Sequence, residues 1–178
     1  MKTIKRHEGF TLTELIVVIV LLGILAAVAV PRFINLSSSA NAAVIENLAG
    51  TLRSATTLQH SLALVNASNG GLQNGFVSAD GIFFDQGYPI GVSFGDSDNI
   101  PEILEALDSD LSGLTFSTVF AGTSSTGGLT RELYVTSTDV LASGANAAQI
   151  IATNCYVSFE SYVVEATPPE IATVTSGC

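Results

Sequence analysis

Hydrophobic and polar positions divide the chain into an apolar N-terminal run, an amphipathic segment and a mixed remainder. The apolar run carries no charge from Leu15 to Val30, and counted from Phe10 it extends over 21 residues with Glu14 as its one charged member. A helix of that length spans roughly 32 Å, enough to cross a hydrocarbon core about 30 Å thick. The pattern therefore predicts a membrane-spanning helix near the N-terminus.

After Pro31 the pattern becomes amphipathic. Apolar residues recur every three or four positions, which is the spacing of one helix face: Val44, Leu48, Leu52, Ala55, Leu58, Leu62 and Val65. The polar positions assigned to the opposite face, toward solvent or a neighbouring subunit, are Glu46, Arg53, Thr57 and His60. The sequence "NASNGG" at 66–71 ends the helix. One helix from Phe10 to Val65 would be about 84 Å long.

The following segment, residues 67–100, is rich in Gly, Ser, Asn and Asp. That composition predicts a long surface loop with little regular structure. Asn99 is the predicted N-cap of a short helix that runs from Pro101 to about Leu111.

Strand patterns occupy the C-terminal third, at Leu114–Ala121, Glu132–Ser137 and Cys155–Val164. Turn residues "TSSTGG" separate the first two, and Pro168 with Pro169 is expected to end the third. A long helix followed by several strands predicts an α+β head in which the helix lies across an antiparallel sheet.

The charge distribution also predicts the orientation of this helix in the membrane. The formal net charge is −10, yet three of the six basic residues, Lys2, Lys5 and Arg6, precede the apolar run. Basic residues before a membrane helix predict a cytoplasmic N-terminal tail and a body on the outer side. The acidic body argues against a nucleic-acid partner, because such binding depends on lysine and arginine neutralising phosphates.

The sequence gives little support for catalysis or for a bound cofactor. Two histidines, one of them at position 7, leave little for acid–base chemistry, and the glycine-rich stretches lack phosphate-binding spacing. The acidic stretch "GDSDN" at 95–99 fails the EF-hand pattern because Ile100 stands where an oxygen ligand would continue it. We therefore expect no enzyme activity, no metal and no cofactor.

The two cysteines are Cys155 and Cys178. An even number beyond a membrane segment favours a disulfide in an oxidising compartment, and two separate buried thiols are the alternative. In the chain-entropy model, closing the intervening loop would contribute about 3 kcal/mol.

The N-terminus allows two interpretations. The basic start, the apolar run and Ala27-Val28-Ala29 resemble an ordinary secretory signal with a small-residue cleavage site. Against that interpretation, the run is longer than most signal cores, Glu14 lies at its start and Pro31 follows the supposed cut. The sequence "GFTLTEL" at 9–15 instead resembles the prepilin peptidase site of type IV pilins.

The resemblance implies roles for particular residues. Cleavage would fall between Gly9 and Phe10, and Phe10 would then be N-methylated. Glu14 would attract the amino terminus of a neighbouring subunit during assembly, or would simply lie at headgroup depth; an intramembrane carboxylate costs about 2.5–3.5 kcal/mol at the helix centre and less near the interface. Gly23 and Pro31 would bound a stretch that kinks or melts in the fibre, with a kinked continuous helix as the alternative. Thr13 departs from the family, which usually has an aliphatic residue there.

The C-terminal part extends the resemblance. "GYPIG" at 87–91 and the segment from Cys155 to Cys178 look like pilins of the mannose-sensitive haemagglutinin type. The implied organisation is a cleaved leader at 1–9, a transmembrane and fibre-core helix at 10–32, the amphipathic half of that helix at 33–66, and a head at 67–178 closed by the disulfide.

The implied function is that of a major structural subunit of a type IV pilus. The subunit would self-assemble into a helical homopolymer for adhesion to host or abiotic surfaces, with retraction-driven motility as a further hypothesis. Its partners would be a prepilin peptidase, an inner-membrane assembly platform and an ATPase. It would start in the inner membrane of a Gram-negative bacterium and end in an extracellular fibre. The alternatives are a pseudopilin of a type II secretion system and a minor or DNA-uptake pilin.

Overall fold

The computed structural model describes residues 10–94, 99–107, 109–123, 128–164 and 166–178. The chain divides into two compact units, Met1–Ser38 and Ser39–Cys178. The long helix α1, Leu12–Val65, contributes residues to both units. The predicted long N-terminal helix is thereby confirmed, although it begins at Leu12 rather than at Phe10.

In the first unit α1 is apolar on all sides between Leu15 and Val28. Every side chain from Leu12 to Val28 is exposed. The stretch Leu12–Ala29 has a mean hydropathy of 2.8 and is long and apolar enough to cross a membrane, by length and composition. A helix that is hydrophobic on every face suits lipid or a packed core of other helices rather than water.

In the second unit α1 buries one face against the head. The buried positions step by three or four residues: Ile45, Ala49, Leu52, Thr56, Gln59 and Ala63, flanked by Leu48 and Ala55. The predicted stripe was therefore right at Leu48, Leu52 and Ala55 and wrong at its other positions, which are exposed: Val44, Leu58, Leu62 and Val65. The face of α1 that is buried includes alanine and threonine, whose small side chains let the helix pack closely against the head. A prediction based on large apolar residues does not identify these positions.

A four-stranded antiparallel sheet forms the main wall of the head. Its strands are β4 Leu114–Thr123, β5 Leu129–Ser137, β6 Tyr156–Tyr162 and β7 Glu170–Val174, in sequential order. Side chains on the inner face of β5 and β6 pack with the buried residues of α1 in one core: Leu133, Val135, Val157 and Phe159. The α+β class with a helix packed on an antiparallel sheet is confirmed, as are the three predicted strands within a few residues.

Two elements of this part were not predicted. Helix α3, Ala147–Ala152, begins with a capping box in which Asn146 and Gln149 bond each other's backbone N–H groups. Strand β7 follows Pro168 and Pro169 directly and is largely exposed, so it lacks the apolar alternation that marks an inner strand. The prolines precede β7, and β6 ends earlier, at Tyr162.

The prediction of an irregular loop at 67–100 was wrong. A short 3-10 helix at Ala67–Asn69 is followed by a small antiparallel sheet of β1 Phe76–Val77, β2 Phe83–Asp85 and β3 Tyr88–Pro89. Strands of two or three residues are too short to show alternation. This segment has its own buried apolar residues, which are Ile82, Phe84, Ile90 and Val92.

The short helix after this sheet also differs from its prediction. Helix α2 covers Glu102–Glu105, its N-cap is Pro101, and it stops well before Leu111. Asn99 does not cap it, because its backbone is left-handed with φ 61°. Most of "GDSDN" at 95–99 and of "TSSTGG" at 123–128 lies outside the described residues.

Candidate functional site

The start of α1 is built by a reciprocal pair of hydrogen bonds. The Glu14 carboxylate accepts from the Thr11 backbone N–H at 2.9 Å and from the Thr11 hydroxyl at 2.7 Å. The Glu14 backbone N–H in turn lies 3.3 Å from the Thr11 Oγ1. This is a capping box, which satisfies backbone donors that a helix start leaves open. Glu14 therefore has a local role within its own chain in addition to any role between chains.

Glu14 also lies on an otherwise apolar helix face. A shallow surface pocket of about 430 Å³ is lined by Glu14 together with Phe10, Thr13, Val17 and Val18. All five side chains are exposed. A carboxylate on an apolar face can attract a cation, such as an amino group, more strongly than it would in water once the face is covered by another apolar surface.

The remaining N-terminal positions stay predictions. Gly9 precedes the described residues, so the structure describes only Phe10 of the two residues at the proposed cleavage position. Helix α1 is assigned without interruption across Gly23 and Pro31. A Cβ added at Gly23 would meet no heavy atom of the described residues within 4 Å, so their packing does not require a glycine there.

The C-terminal end of the chain is fixed by the Cys155–Cys178 disulfide, as predicted. Cys155 is fully buried in the main core, and the Cys155 carbonyl accepts from the Thr136 hydroxyl at 2.6 Å. The Gly177 backbone N–H donates to the Asn154 carbonyl at 2.9 Å. A Cβ on Gly177 would overlap the Thr153 carbonyl oxygen. The tail therefore needs both its cysteine and its glycine to lie this close to the end of α3.

The small sheet is held in place by buried polar groups. Glu102, fully buried, accepts from the backbone N–H groups of Phe83 at 2.8 Å and Phe94 at 3.0 Å. Arg131 of β5 pairs with buried Asp85 of β2 at 2.8 Å. Burial raises the pKa of Asp85, and the Arg131 charge partly opposes that rise.

Helix α1 contacts the same sheet through His60. Its imidazole stacks on the Tyr88 ring at 4.1 Å between centroids, and its Nδ1 lies 2.8 Å from the Gly87 carbonyl oxygen. The prediction that His60 faces solvent or a neighbouring subunit was therefore wrong, because a half-buried contact inside the head occupies it. Glu46, Arg53 and Thr57 are exposed, as expected.

The outer face of the main sheet carries a row of acids. Glu132 on β5 is directly opposite Glu160 on β6, and Glu160 is directly opposite Glu170 on β7. Burial, then the Glu132 and Glu170 charges, raise the pKa of Glu160. The Tyr134 hydroxyl donates to Glu132 at 2.8 Å, and burial followed by that carboxylate raises the pKa of Tyr134 to about 12. The register of the three strands therefore places the carboxylates of Glu132, Glu160 and Glu170 next to one another.

Within the described ranges, no group of three or more His, Cys, Asp or Glu residues is arranged to hold a metal ion.

Comparison with known proteins points to the N-terminal segment. Residues 4–30 match the family model of the prokaryotic N-terminal methylation motif. The chain carries this motif. A 50-residue segment is 54% identical to a type IV narrow pilus major component, PilA5, of Thermus thermophilus, which covers 28% of this chain and 43% of that protein. The match thus spans less than half of that relative, and no solved structure gives a significant match.

The motif contains the residues singled out from sequence, Phe10 and Glu14, together with Thr11, whose capping role had been missed. The pattern Thr-x-x-Glu at 11–14 is itself a capping-box signature and was readable from the sequence. Glu102 and Gly177 were also missed. No local pattern marks them, because their importance arises from contacts with segments distant in sequence.

Proposed function

We propose that this chain is a major structural subunit of a type IV pilus that polymerises through its N-terminal helix. The observation that carries the proposal is the methylation motif at 4–30, which coincides with an apolar helix exposed on all sides over Leu12–Val28. A similar segment occurs in a protein named as a type IV narrow pilus major component. An apolar helix that no part of its own unit covers is suited first to lipid and then to the core of a fibre. The role is structural rather than catalytic.

The processing step follows from the same motif. A prepilin peptidase would cut between Gly9 and Phe10 and leave an N-methylated Phe10 amine. Residues 1–9 would then be the leader, 10–32 the transmembrane and fibre-core helix, 33–66 its amphipathic half and 67–178 the head. An inner-membrane platform and an ATPase would draw subunits out of the inner membrane into the extracellular fibre. Within the fibre, Gly23 and Pro31 would bound the stretch of α1 that kinks or melts.

Assembly would use the charge of Glu14. The carboxylate and Phe10, which precedes α1, line the same surface pocket. Its pairing with the Phe10 amine of the next subunit would place two costly charges together in a low-dielectric setting. Because Glu14 also closes the capping box with Thr11, an alanine substitution would remove both the charge and the cap. Glutamine keeps a capping-box side chain and removes only the charge.

The test compares fibres from three variants at matched subunit levels. Glu14→Gln is expected to leave the subunit inserted and cleaved but to reduce surface fibres at least tenfold. Thr11→Val is the matched control: it removes the hydroxyl from the cap, keeps the charge, and is expected to leave fibre numbers within about twofold. Glu14→Ala should resemble the glutamine variant. Fibres are counted by negative-stain electron microscopy, and normal counts from Glu14→Gln would refute the charge-pairing step.

We propose adhesion to host or abiotic surfaces as the work of the fibre, in a Gram-negative bacterium. The support is the resemblance of "GYPIG" at 87–91 and of the disulfide-closed C-terminal segment to pilins of the mannose-sensitive haemagglutinin type. Deletion of the gene should remove long surface fibres and lower attachment to glass and epithelial cells, whereas motility on soft surfaces tests retraction. Short periplasmic filaments with a secretion defect, and no long fibres, would instead establish a pseudopilin of a type II secretion system.

A further inference from the structure

The second half of α1 has a face that the head leaves uncovered, opposite the face that it buries. Glu46, Gly50, Arg53 and Thr57 are all exposed there. Glu46 and Arg53 are seven residues apart, which is almost two helical turns, so both side chains project from the same side of the helix. This exposed face therefore carries one acid and one base in line along the helix axis, about 10 Å apart.

Neither of these charges is neutralised within its own helix. The positions three and four residues from Glu46 and from Arg53 hold no residue of opposite charge, so the usual ion pairs along a helix cannot form. Among the described residues Glu46 has no hydrogen bond and no ion pair. The Arg53 Nη2 donates to the Ile171 carbonyl at 3.1 Å, which uses one of the five donors of the guanidinium. Arg53 can therefore still bind a carboxylate from outside its own chain.

The charge of the head makes Arg53 the cation that is available to a neighbouring copy. Residues 39–178 contain 14 acids, two arginines and no lysine. The other arginine, Arg131, has a side chain that is 13% exposed and pairs with Asp85 at 2.8 Å. A second copy of the chain brings the same excess of acids, so two heads repel each other at most orientations. An attractive contact between heads has to place Arg53 against a carboxylate of the partner.

Gly50 supplies a second observation on the same face. It is exposed in the interior of α1, and a Cβ added there would meet no heavy atom of the described residues within 4 Å. The packing of the head therefore gives no reason for a glycine, although glycine is less favourable than alanine inside a helix. The absence of a side chain does allow another backbone to approach closely. The helix is thus open to a neighbour between its acid and its base.

We propose that this face of α1 is a contact between copies of the chain, in which Arg53 of one copy pairs with Glu46 of the next. The proposal rests on the proposed pilus function, because subunits that leave one membrane in the same orientation would place their α1 helices parallel. Glu46 then lies level with the Arg53 of its neighbour when the two helices are offset by seven residues, or about 10 Å.

Such a contact repeats from copy to copy. Each copy offers Arg53 to one neighbour and Glu46 to another, so the contact is heterologous and generates an open filament rather than a closed dimer. Charge pairs of this kind fix the register of an interface and reject other alignments more than they add affinity. The pair would thus set the axial offset between neighbouring heads.

The test is a charge swap followed by fibre counts in negative-stain electron microscopy at matched subunit levels. Arg53→Glu and Glu46→Arg each place like charges together, so each should reduce fibres at least fivefold. The double variant restores opposite charges and should recover at least half of the parental count. It does not restore the Arg53 bond to Ile171, so its recovery cannot come from stability within one chain. Asp80→Arg is the matched control, because it reverses an exposed acid outside α1 and should leave counts within about twofold.

Gly50→Leu tests the close approach separately from the charges. Leucine is a better helix former than glycine, so the melting temperature of the detergent-solubilised chain should be at or above that of the parent. Fibre number should nevertheless fall at least fivefold, because the side chain occupies the space of the neighbouring helix. A lower melting temperature together with fewer fibres would mean that Gly50 serves the fold of its own chain, which would overturn its role in the contact.

Three other results would overturn the proposal. Normal fibre numbers from both Arg53→Glu and Glu46→Arg would show that this face is not a contact. Impaired single variants without recovery in the double variant would refute the pairing of Arg53 with Glu46. A fibre reconstruction in which no two copies have Arg53 and Glu46 within ion-pair distance would do the same. Absence of fibres from the parent protein would instead refute the proposed function, and this contact with it.

Discussion

The row of glutamates on the main sheet predicts a substitution that stabilises the protein. Glu160 has Glu132 opposite it on one side and Glu170 opposite it on the other. Like charges directly across an antiparallel pair are destabilising, by roughly 0.2–1 kcal/mol for each pair. Glu160→Gln removes both repulsions and keeps the size of the side chain. Because solvent screens part of the repulsion, we expect a gain of about 1 kcal/mol at pH 7 and low salt.

The gain must also depend on pH in one direction. The pKa of Glu160 is raised in the folded protein, so the folded state binds this proton more tightly than the unfolded state does. The stabilisation that comes from the protonated Glu160 side chain is fully present below the unfolded pKa of about 4.3. It is lost as the pH rises through the folded pKa of Glu160. Above that window the parent protein carries the repulsion, and the glutamine variant does not. Its advantage should therefore be largest near pH 7 and should vanish near pH 4.

The assay is thermal unfolding of the detergent-solubilised full chain at pH 4, 5.5 and 7. A gain of 1 kcal/mol corresponds to an increase of about 2–4 °C in a chain of this size. Glu46→Gln serves as the control for loss of one acid on the head, and 0.5 M NaCl should shrink the difference. A melting temperature at pH 7 equal to or below that of the parent would refute the reasoning, as would an advantage that persists unchanged at pH 4.

Three other predictions concern the two ends of the chain. Mass spectrometry of protein taken from fibres should show Phe10 as the first residue with one added methyl group, and a start at Val30 would instead establish ordinary signal cleavage. Gly177→Ala should destabilise the head by about 1–3 kcal/mol, because the new methyl group overlaps the Thr153 carbonyl oxygen; unchanged unfolding would contradict that packing. Cys178→Ser should cost about 2–5 kcal/mol and lower fibre number, whereas free thiols in fibres treated without reductant would disprove the disulfide in the assembled state.

Features with a strong local signal were predicted from sequence. The apolar run predicted the first part of α1, and the β-branched and aromatic runs predicted β4, β5 and β6. The even number of cysteines predicted the disulfide. Elements of two to six residues were missed or misplaced, as in the small sheet at 76–89, because so few residues do not repeat a pattern often enough to identify it. The buried face of α1 was only partly right, since Ala49 and Ala63 owe their burial to close approach rather than to size.

The residues that position the candidate sites were missed for a different reason. Glu102 bonds the backbone of Phe83 and Phe94, and its neighbours in sequence do not suggest that it is buried. Arg131 reaches Asp85 across a separation that no periodicity encodes. Long-range polar contacts of this kind depend on the final packing of distant segments. The sequence was enough to predict a membrane-spanning helix and a disulfide, whereas the buried polar contacts that hold the head together are visible only in the structure.

The distribution of charge suggests where the driving force for assembly resides. Residues 39–178 carry 14 acids and two arginines, so neighbouring heads repel one another at neutral pH. The segment Leu12–Ala29 is uncharged apart from Glu14 and is exposed along almost its whole length. Once the segment has left the lipid, association through it keeps its apolar surface out of water, whereas association through the heads has to overcome repulsion. In the proposed fibre the helices would thus hold the subunits together, and salt concentration would set how closely the acidic heads approach.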